Sequence, residues 1–208
     1  MFEQVLSKGA LEVIVDLSGR IKGFYLAGGT GLALQLGHRR SEDFDFFSPE
    51  PFNTDALLEK IRPDSTLVAR EGTIHCELKG TKLSFLFFRQ PLVWPTISWR
   101  SVDVADWRDI TAEKFRAISD RGSKKDFCDL YAVLQTKLSI EEACDVFKRR
   151  FGSSGINMYH VLRSITFFEE AEHEPEPMLI MQGEEWEWEN VKSFFEKNVQ
   201  QFKDGLSV

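Results

Sequence analysis

Two aspartates, one residue apart, are the groups most able to do chemistry in this sequence. Asp43 and Asp45 lie in the run "DFDFF", among phenylalanines that a globular protein normally buries. In a strand both would point to the same face, with side-chain roots about 6–7 Å apart. That spacing lets both carboxylates reach one hard cation such as Mg²⁺. Because an ionised carboxylate at the edge of a core costs several kcal/mol unless it is paired or binds a metal, the pattern predicts a metal site.

A glycine turn precedes these acids in the stretch "LAGGTGLALQL". Two adjacent glycines before a short apolar helix expose backbone N–H groups, which suits a phosphate. We expect Thr30 to cap a helix over residues 31–36, with its hydroxyl available to a phosphate. The stretch is neither a Walker A loop nor a dinucleotide-binding loop, since the required spacings are missing. The candidates for nucleotide contact here are Gly28, Gly29, Thr30, Arg40 and Ser41.

A second group of charged residues lies in "DITAEKFRAISDRGSKKDFCDLYAVL". Lys114 and Arg121 are two helical turns apart and can project from one side of the chain. Asp126 and Asp129, at i and i+3, share a helix face. A lysine held by an aspartate is suited to steadying triphosphate charge. The alternative is that Arg121 and Asp129 form a structural ion pair.

The two stretches together resemble the abortive-infection toxin nucleotidyltransferases of the AbiEii/AbiGii type, a branch of the polymerase-β-like nucleotidyltransferase superfamily. The shared features are the glycine turn followed by D-x-D, and then a lysine, an arginine seven residues on, and D-x-x-D on the next helix. The resemblance covers most of residues 20–135 and extends loosely into the C-terminal helices.

The resemblance implies a Mg²⁺-dependent transfer of a nucleotidyl group from an NTP to a hydroxyl of tRNA or of a protein. The glycine turn would hold the triphosphate, and Asp43 and Asp45 would bind Mg²⁺. Lys114 would contact a nucleotide phosphate, Arg121 would also face the nucleotide, and Asp126 would orient basic side chains or the attacking group. The implied setting is a toxin that acts beside a cognate antitoxin.

One position departs from the pattern of many nucleotidyltransferases, which carry a third acid on a neighbouring strand. Here Ser84 stands at that position, and His75, Glu77 or a water held by Ser84 could replace part of the missing carboxylate. A branch that uses two acids is a simpler interpretation. The alternative function is a non-catalytic module that keeps the fold and binds a nucleotide or a protein partner. A metal phosphohydrolase is disfavoured because the four histidines are scattered.

The elements needed to place these groups form an α+β N-terminal half. Apolar spacing predicts a helix over residues 2–17, a short strand over 23–27, a strand at "DFDFF" and a helix from Asn53 or Thr54 to Ile61. "TIHCELKGTKLSFLFFR" predicts a hairpin that turns at Lys79-Gly80 and sets His75 across from Ser84. A further strand is expected at 101–104.

From Asp109 the sequence becomes helical to its end. Three helices are predicted in "DITAEKFRAISDR", "SKKDFCDLYAVLQ" and "SIEEACDVFKRRF", the last with a capping box of Ser139 and Glu142. Two more amphipathic helices are predicted in "INMYHVLRSITFFEE" and "WENVKSFFEKNVQQF". We therefore expect a nucleotidyltransferase-like α+β domain over residues 1–106 and a helical domain over 107–208.

Composition and charge limit the binding partners and the cellular compartment that we expect for this protein. The net charge of −7 in 208 residues argues against broad binding to nucleic acid or anionic membranes. RNA would need a local basic groove, for which the predicted residues are Arg39, Arg40, Lys114, Arg121, Lys124 and Lys125. The three cysteines show no CxxC spacing, and no apolar segment is long enough to span a bilayer. The expectation is a reduced, cytoplasmic protein with no membrane partner.

Overall fold

The computed structural model describes all 208 residues, and they divide into two compact units. The first unit comprises Met1–Gln35 and Arg40–Asp106, and the second comprises Leu36–Arg39 and Trp107–Val208. The predicted boundary at residue 106 would place Leu36–Arg39 in the first half, whereas the structure groups this short segment with the helices.

The first unit contains a mixed sheet of seven strands in the order β3-β4-β5-β2-β1-β7-β6. Parallel pairing joins β2 to β5 and β1 to β7, and the other neighbours are antiparallel. The strands are β1 (Tyr25–Leu26), β2 (Phe44–Ser48), β3 (Ser65–Arg70), β4 (Thr73–Leu78), β5 (Thr81–Phe87), β6 (Ile97–Trp99) and β7 (Val102–Val104).

Three helices accompany the sheet: α1 (Lys8–Leu17), α2 (Gly28–Leu36) and α3 (Thr54–Ile61). α1 begins after Ser7, whose side chain accepts a hydrogen bond from the Ala10 amide, and Asn53 caps α3 in the same way. Apolar residues of α1 and α3 pack with the fully buried Phe44 and Phe46 of β2 in one core. One face of β2 is therefore covered by helices.

The second unit is helical throughout. Its helices are α4 (Trp107–Asp120), α5 (Lys124–Thr136), α6 (Ile140–Phe151), α7 (Met158–Ser164), α8 (Glu169–Glu172), α9 (Trp188–Lys197) and α10 (Val199–Leu206). Stacked and edge-on phenylalanines fill its interior, for example Phe115 against Phe147 and Phe195 against Phe202. None of the helices has both the length and the apolar character that a membrane-spanning segment needs.

The fold class is the mixed α/β arrangement predicted from the sequence, and most element positions agree. The β4–β5 hairpin, α3 with its Asn53 cap and α6 with its capping box are all confirmed. All three cysteines are free and buried, as expected of packing residues.

Several predicted boundaries were wrong. The N-terminal helix begins at Lys8 rather than Phe2, because Glu3–Val5 form a separate 3-10 turn. Strands β3 and β6 were not predicted. Each of the last two predicted helices is divided in two. α9 ends at Lys197, and the side-chain amide of the next residue, Asn198, donates to the Phe194 carbonyl before α10 begins.

Candidate active site

The aspartate pair lies at the start of β2, on the face opposite the core. Phe44 and Phe46 are fully buried, so the alternation of the strand turns Asp45, which is half-buried, to the other face. Asp43 directly precedes β2 and is exposed. Neither carboxylate has an ion-pair or hydrogen-bond partner among the side chains. Two acids without counter-charges therefore lie close together at one strand end.

Gly28 is in direct contact with Asp45. Its φ of +60° is in the left-handed region, and a Cβ built on it would lie 2.7 Å from Asp45 Oδ2. The Ala27 amide donates to the Asp45 carbonyl at 3.0 Å, which ties the two segments together. Only glycine allows the start of α2 to approach the carboxylate this closely.

The start of α2 also supplies backbone donors beside these acids. The first hydrogen bond at this end of the helix runs from the Gly31 amide to the Ala27 carbonyl, at 3.0 Å. The amides of Gly28, Gly29 and Thr30 are therefore the donors that an α-helix leaves without an intrahelical acceptor. Such donors at a helix N-terminus suit an anionic ligand.

Thr30 does not cap this helix, contrary to the prediction. The helix begins at Gly28, so Thr30 lies in its first turn and is almost fully buried. Its hydroxyl donates to the Asp43 carbonyl and lies 2.7 Å from Ser41 Oγ. Thr30 and Ser41 thus hold the backbone of the aspartate segment against the helix, while Arg40, just before Ser41, is exposed.

The strand register sets Ser84 directly beside Asp45. Asp45 pairs with Ser84 of β5, and Ser84 pairs in turn with His75 of β4. His75 Nδ1 lies 3.1 Å from Ser84 Oγ, within hydrogen-bonding distance. One row across three strands therefore carries a carboxylate, a hydroxyl and an imidazole on the face opposite the core.

The donor set suits one hard cation. No group of three or more His, Cys, Asp and Glu side chains in the chain is arranged to hold a metal. Mg²⁺, however, is commonly bound in proteins through only one or two carboxylates, with waters and substrate phosphates as the remaining ligands. Asp43 and Asp45 fit that arrangement because they are one residue apart and have no counter-ion among the side chains.

The second predicted group forms a buried ion cluster inside the helical unit. Lys114 Nζ lies 2.8 Å from Asp126 Oδ1 and 2.7 Å from Asp129 Oδ2. Asp126 also accepts from Arg121 at 2.9 Å and from the Ser123 hydroxyl at 2.7 Å. The resemblance implies that Lys114 contacts a phosphate, but in the structure the residue is 4% exposed and two carboxylates enclose its ammonium.

Two further members of this cluster were not predicted. His38 Nε2 and Arg39 Nε each lie 2.6 Å from Asp129 Oδ1, and Arg39 also donates to Oδ2. Arg39 was predicted to line an RNA groove, yet both His38 and Arg39 are buried. No local signal marks this pairing, since the partner aspartate is ninety residues away in sequence.

The charges of this cluster are fixed by mutual pairing. Burial would raise the pKa of Asp126, but Lys114 and Arg121 outweigh it and lower the pKa to about 2. Burial opposes ionisation of Asp129 too, yet Arg39 and Lys114 hold its pKa well below the usual range. Burial lowers the pKa of His38 despite Asp129, so its imidazole is neutral at pH 7.

Three of the six cations that were predicted to line an RNA groove are buried in ion pairs. Arg39, Lys114 and Lys124 are each at most 4% exposed and paired with carboxylates, Lys124 with Glu176 at 2.8 Å. Arg121 is different, because its side chain is 67% exposed while Asp126 holds its guanidinium. The helical unit thus presents one exposed arginine that a buried network orients.

Comparison with known proteins finds similarity along nearly the whole chain. The sequence model described as "Nucleotidyl transferase AbiEii toxin, Type IV TA system" matches residues 11–204. An uncharacterised protein of Aquifex aeolicus (strain VF5) is 34% identical over 201 residues, which cover 93% of this chain and 94% of that protein.

Solved structures show the same fold at low sequence identity. MenT4, a nucleotidyltransferase toxin from Mycobacterium tuberculosis H37Rv, has a TM-score of 0.58 at 16% identity and covers 95% of this chain and 90% of its own. JHP933 from Helicobacter pylori has a TM-score of 0.50 at 17% identity, with 97% and 95% coverage. Since the family model spans nearly the whole sequence, the chain belongs to the AbiEii nucleotidyl transferase toxin family.

Proposed function

We propose that this protein is a Mg²⁺-dependent nucleotidyltransferase that moves a nucleotidyl group from an NTP to a hydroxyl of an RNA, with tRNA as the first candidate, or of a protein. The observation that carries the proposal is the contact of Asp45 with Gly28. This contact places two carboxylates without counter-ions next to the N-terminal amides of α2. Such a site is suited to a metal ion and a phosphate chain together.

In this proposal Asp43 and Asp45 hold the metal, and the amides of Gly28 and Gly29 bind phosphate oxygens. The metal, when bound, supplies positive charge that stabilises the transferring phosphoryl group. Thr30 and Ser41 act as positioning residues, because their hydroxyls are engaged with the Asp43 backbone and with each other. Phosphoryl-type transfer depends mainly on alignment and charge stabilisation, so a sparse site is sufficient.

For the helical unit we propose an indirect role for Lys114. Its ammonium is satisfied by Asp126 and Asp129, so it holds the cluster together rather than contacting phosphate. Asp126 is then the residue that orients the exposed guanidinium of Arg121. Arg40 is the exposed cation of the first unit that we assign to the nucleotide.

The biological role that we propose is that of a toxin with a cognate antitoxin. Support comes from the family description, which names a type IV toxin–antitoxin system. It also comes from MenT4, which is described as a nucleotidyltransferase toxin and shares the fold. A membrane partner is not part of the proposal.

The test is transfer of label from a mixture of α-labelled NTPs to bulk tRNA and, separately, to cell protein, with Mg²⁺ or with EDTA. Asp45→Asn removes a proposed metal ligand and is expected to reduce transfer by at least about a hundredfold, in line with the loss of an electrostatic catalytic group. Asp103→Asn, the same change on an exposed position of β7, is the matched control and should keep full transfer. Thermal unfolding establishes that both variants are folded.

A non-catalytic binding module is the second candidate, because Ser84 pairs with Asp45 where a third acid would stand. It predicts that NTP binds in calorimetric titration without transfer to any acceptor, and that Asp45→Asn leaves this binding unchanged. Transfer that requires both Mg²⁺ and Asp45 excludes it.

A further inference from the structure

A basic cavity lies on the first unit, away from the aspartate pair. It is open, has a volume of about 610 Å³, and lies between the loop that follows α1 and the C-terminal end of α3. Its lining residues are Gly19, Arg20, Lys22, Glu59, Lys60 and Arg62. Four of the six are cations, in a chain whose net charge is −7.

Most of this positive charge is not neutralised. Lys22, Lys60 and Arg62 are exposed and have no ion-pair partner, whereas Arg20 is bonded to Asp16 at 2.7 Å. Glu59 is the single acid in the lining. The cavity is therefore a local concentration of positive charge on a chain that is acidic as a whole.

The backbone places Arg62 in an uncommon conformation. Arg62 ends α3 with φ +52° and ψ +61°, the left-handed position that glycine usually occupies at a helix C-terminus. A residue with a Cβ in this conformation costs conformational free energy relative to glycine. The presence of arginine at this position therefore favours a function for its guanidinium.

This cavity is separate from the proposed metal site. α1 and α3 pack on the face of the sheet that carries Phe44 and Phe46, whereas Asp45 points to the opposite face. The cations of the cavity therefore cannot serve as ligands of the same phosphate chain. They can bind a polyanion that is long enough to extend beyond the face of the sheet that carries Asp45.

We propose that Arg20, Lys22, Lys60 and Arg62 bind the phosphodiester backbone of the acceptor RNA. This inference rests on the proposed function and narrows its acceptor to RNA rather than protein. Lysine and arginine side chains spread over two segments match successive phosphates better than one small anion. The groove predicted from the sequence cannot fill this role, because three of its six cations are buried in ion pairs.

The experiment measures binding of fluorescently labelled bulk tRNA to the full chain, without NTP, over a series of salt concentrations. Lys60→Glu with Arg62→Glu is expected to weaken binding at least about tenfold. It should also reduce the slope of log affinity against log salt by about 1.5, since each of the two lost phosphate contacts contributes about 0.7 to 0.9. Lys8→Glu with Arg70→Glu, two exposed cations outside the cavity, changes the net charge equally and should leave the slope unchanged.

Arg62→Gly separates a binding role from a structural one. Glycine adopts the left-handed conformation without the strain that a Cβ causes. The melting temperature should therefore stay the same or rise, while the affinity for tRNA falls. An equal loss of affinity in both double variants, an unchanged salt slope, or binding of anionic vesicles without binding of tRNA would overturn the proposal. Asp45→Asn should bind tRNA like the wild type, so failure of the catalytic proposal and failure of this one are distinguishable.

Discussion

At the scale of single residues, the candidate site depends on a contact between a glycine and an aspartate. Asp45 Oδ2 occupies the space where any other residue at position 28 would place its Cβ. The left-handed φ of Gly28 makes that approach possible. The proposed metal ligand and the proposed phosphate-binding turn are therefore in direct contact.

Gly28→Ala is expected to reduce transfer much more than a glycine substitution elsewhere. The new methyl would overlap Asp45 Oδ2 and displace the carboxylate, in addition to a cost of about 1–2 kcal/mol for the left-handed backbone. Transfer kinetics and thermal unfolding are measured together. Gly23→Ala is the control: Gly23 has φ +85° and open space around it, so it shares the backbone cost without the overlap. Equal activity in the two variants would contradict the prediction.

At the scale of elements, the helices are defined by local signals and joined by long-range charge pairs. α6 begins with a capping box, in which the Ser139 amide donates to Glu142 Oε2 at 2.8 Å and the Glu142 amide donates to Ser139 Oγ at 3.2 Å. At its other end, Arg150 pairs with Asp109 and Glu113 of α4. The sequence identifies the first feature, whereas the second depends on packing.

Ser139→Ala is expected to lower the free energy of unfolding by about 1 kcal/mol, because the Glu142 amide loses its acceptor. Urea unfolding followed by circular dichroism gives the value. Ser139→Asp keeps a capping oxygen and should stay close to wild type. A loss of similar size in both variants would show that the cap is not the cause.

At the scale of the whole molecule, an acidic chain keeps two carboxylates ionised inside the helical unit. Asp126 and Asp129 are buried, and cations lower the pKa of both. Protonating them on acidification would leave Lys114 and Arg39 buried without counter-charges. Acid should therefore destabilise the fold through this cluster.

The expected pH dependence follows from Asp126. Its folded pKa of about 2 lies below the ordinary value of 3.8, so its contribution is complete above about pH 4 and is lost as pH falls through about 2. The difference corresponds to about 2 kcal/mol. Asp126→Asn should be less stable at pH 7 but should lose less stability on acidification, as measured by urea midpoints against pH. Asp120 is the control, because its side chain is 61% exposed, and Asp120→Asn should show the same dependence of stability on pH as the wild type. Parallel stability curves for the wild type and both variants would contradict the role of Asp126 in acid destabilisation.

Features carried by neighbouring residues could be predicted from the sequence. The β4–β5 hairpin follows from a Lys-Gly turn between alternating strands, and Asn53, Ser123 and Ser139 each mark a helix start by a local hydrogen bond. The strands β3 and β6 were missed because both lie at an edge of the sheet, are mostly exposed and show no clear alternation of buried and exposed residues. Thr30 was misplaced as a cap because the glycine at position 28 can itself begin the helix.

The sequence by itself determined the family and the mixed fold, and it predicted the acidic pair as the candidate site, because motif residues and hydrophobic periodicity are local properties of the chain. Only the tertiary structure showed that Asp45 touches Gly28, that His38 and Arg39 join Asp129, and that Lys114 is enclosed by carboxylates. Those contacts join residues 12 to 91 positions apart, and no local pattern specifies them. The pairing of buried charges is decided by which side chains the packed core brings within hydrogen-bonding distance.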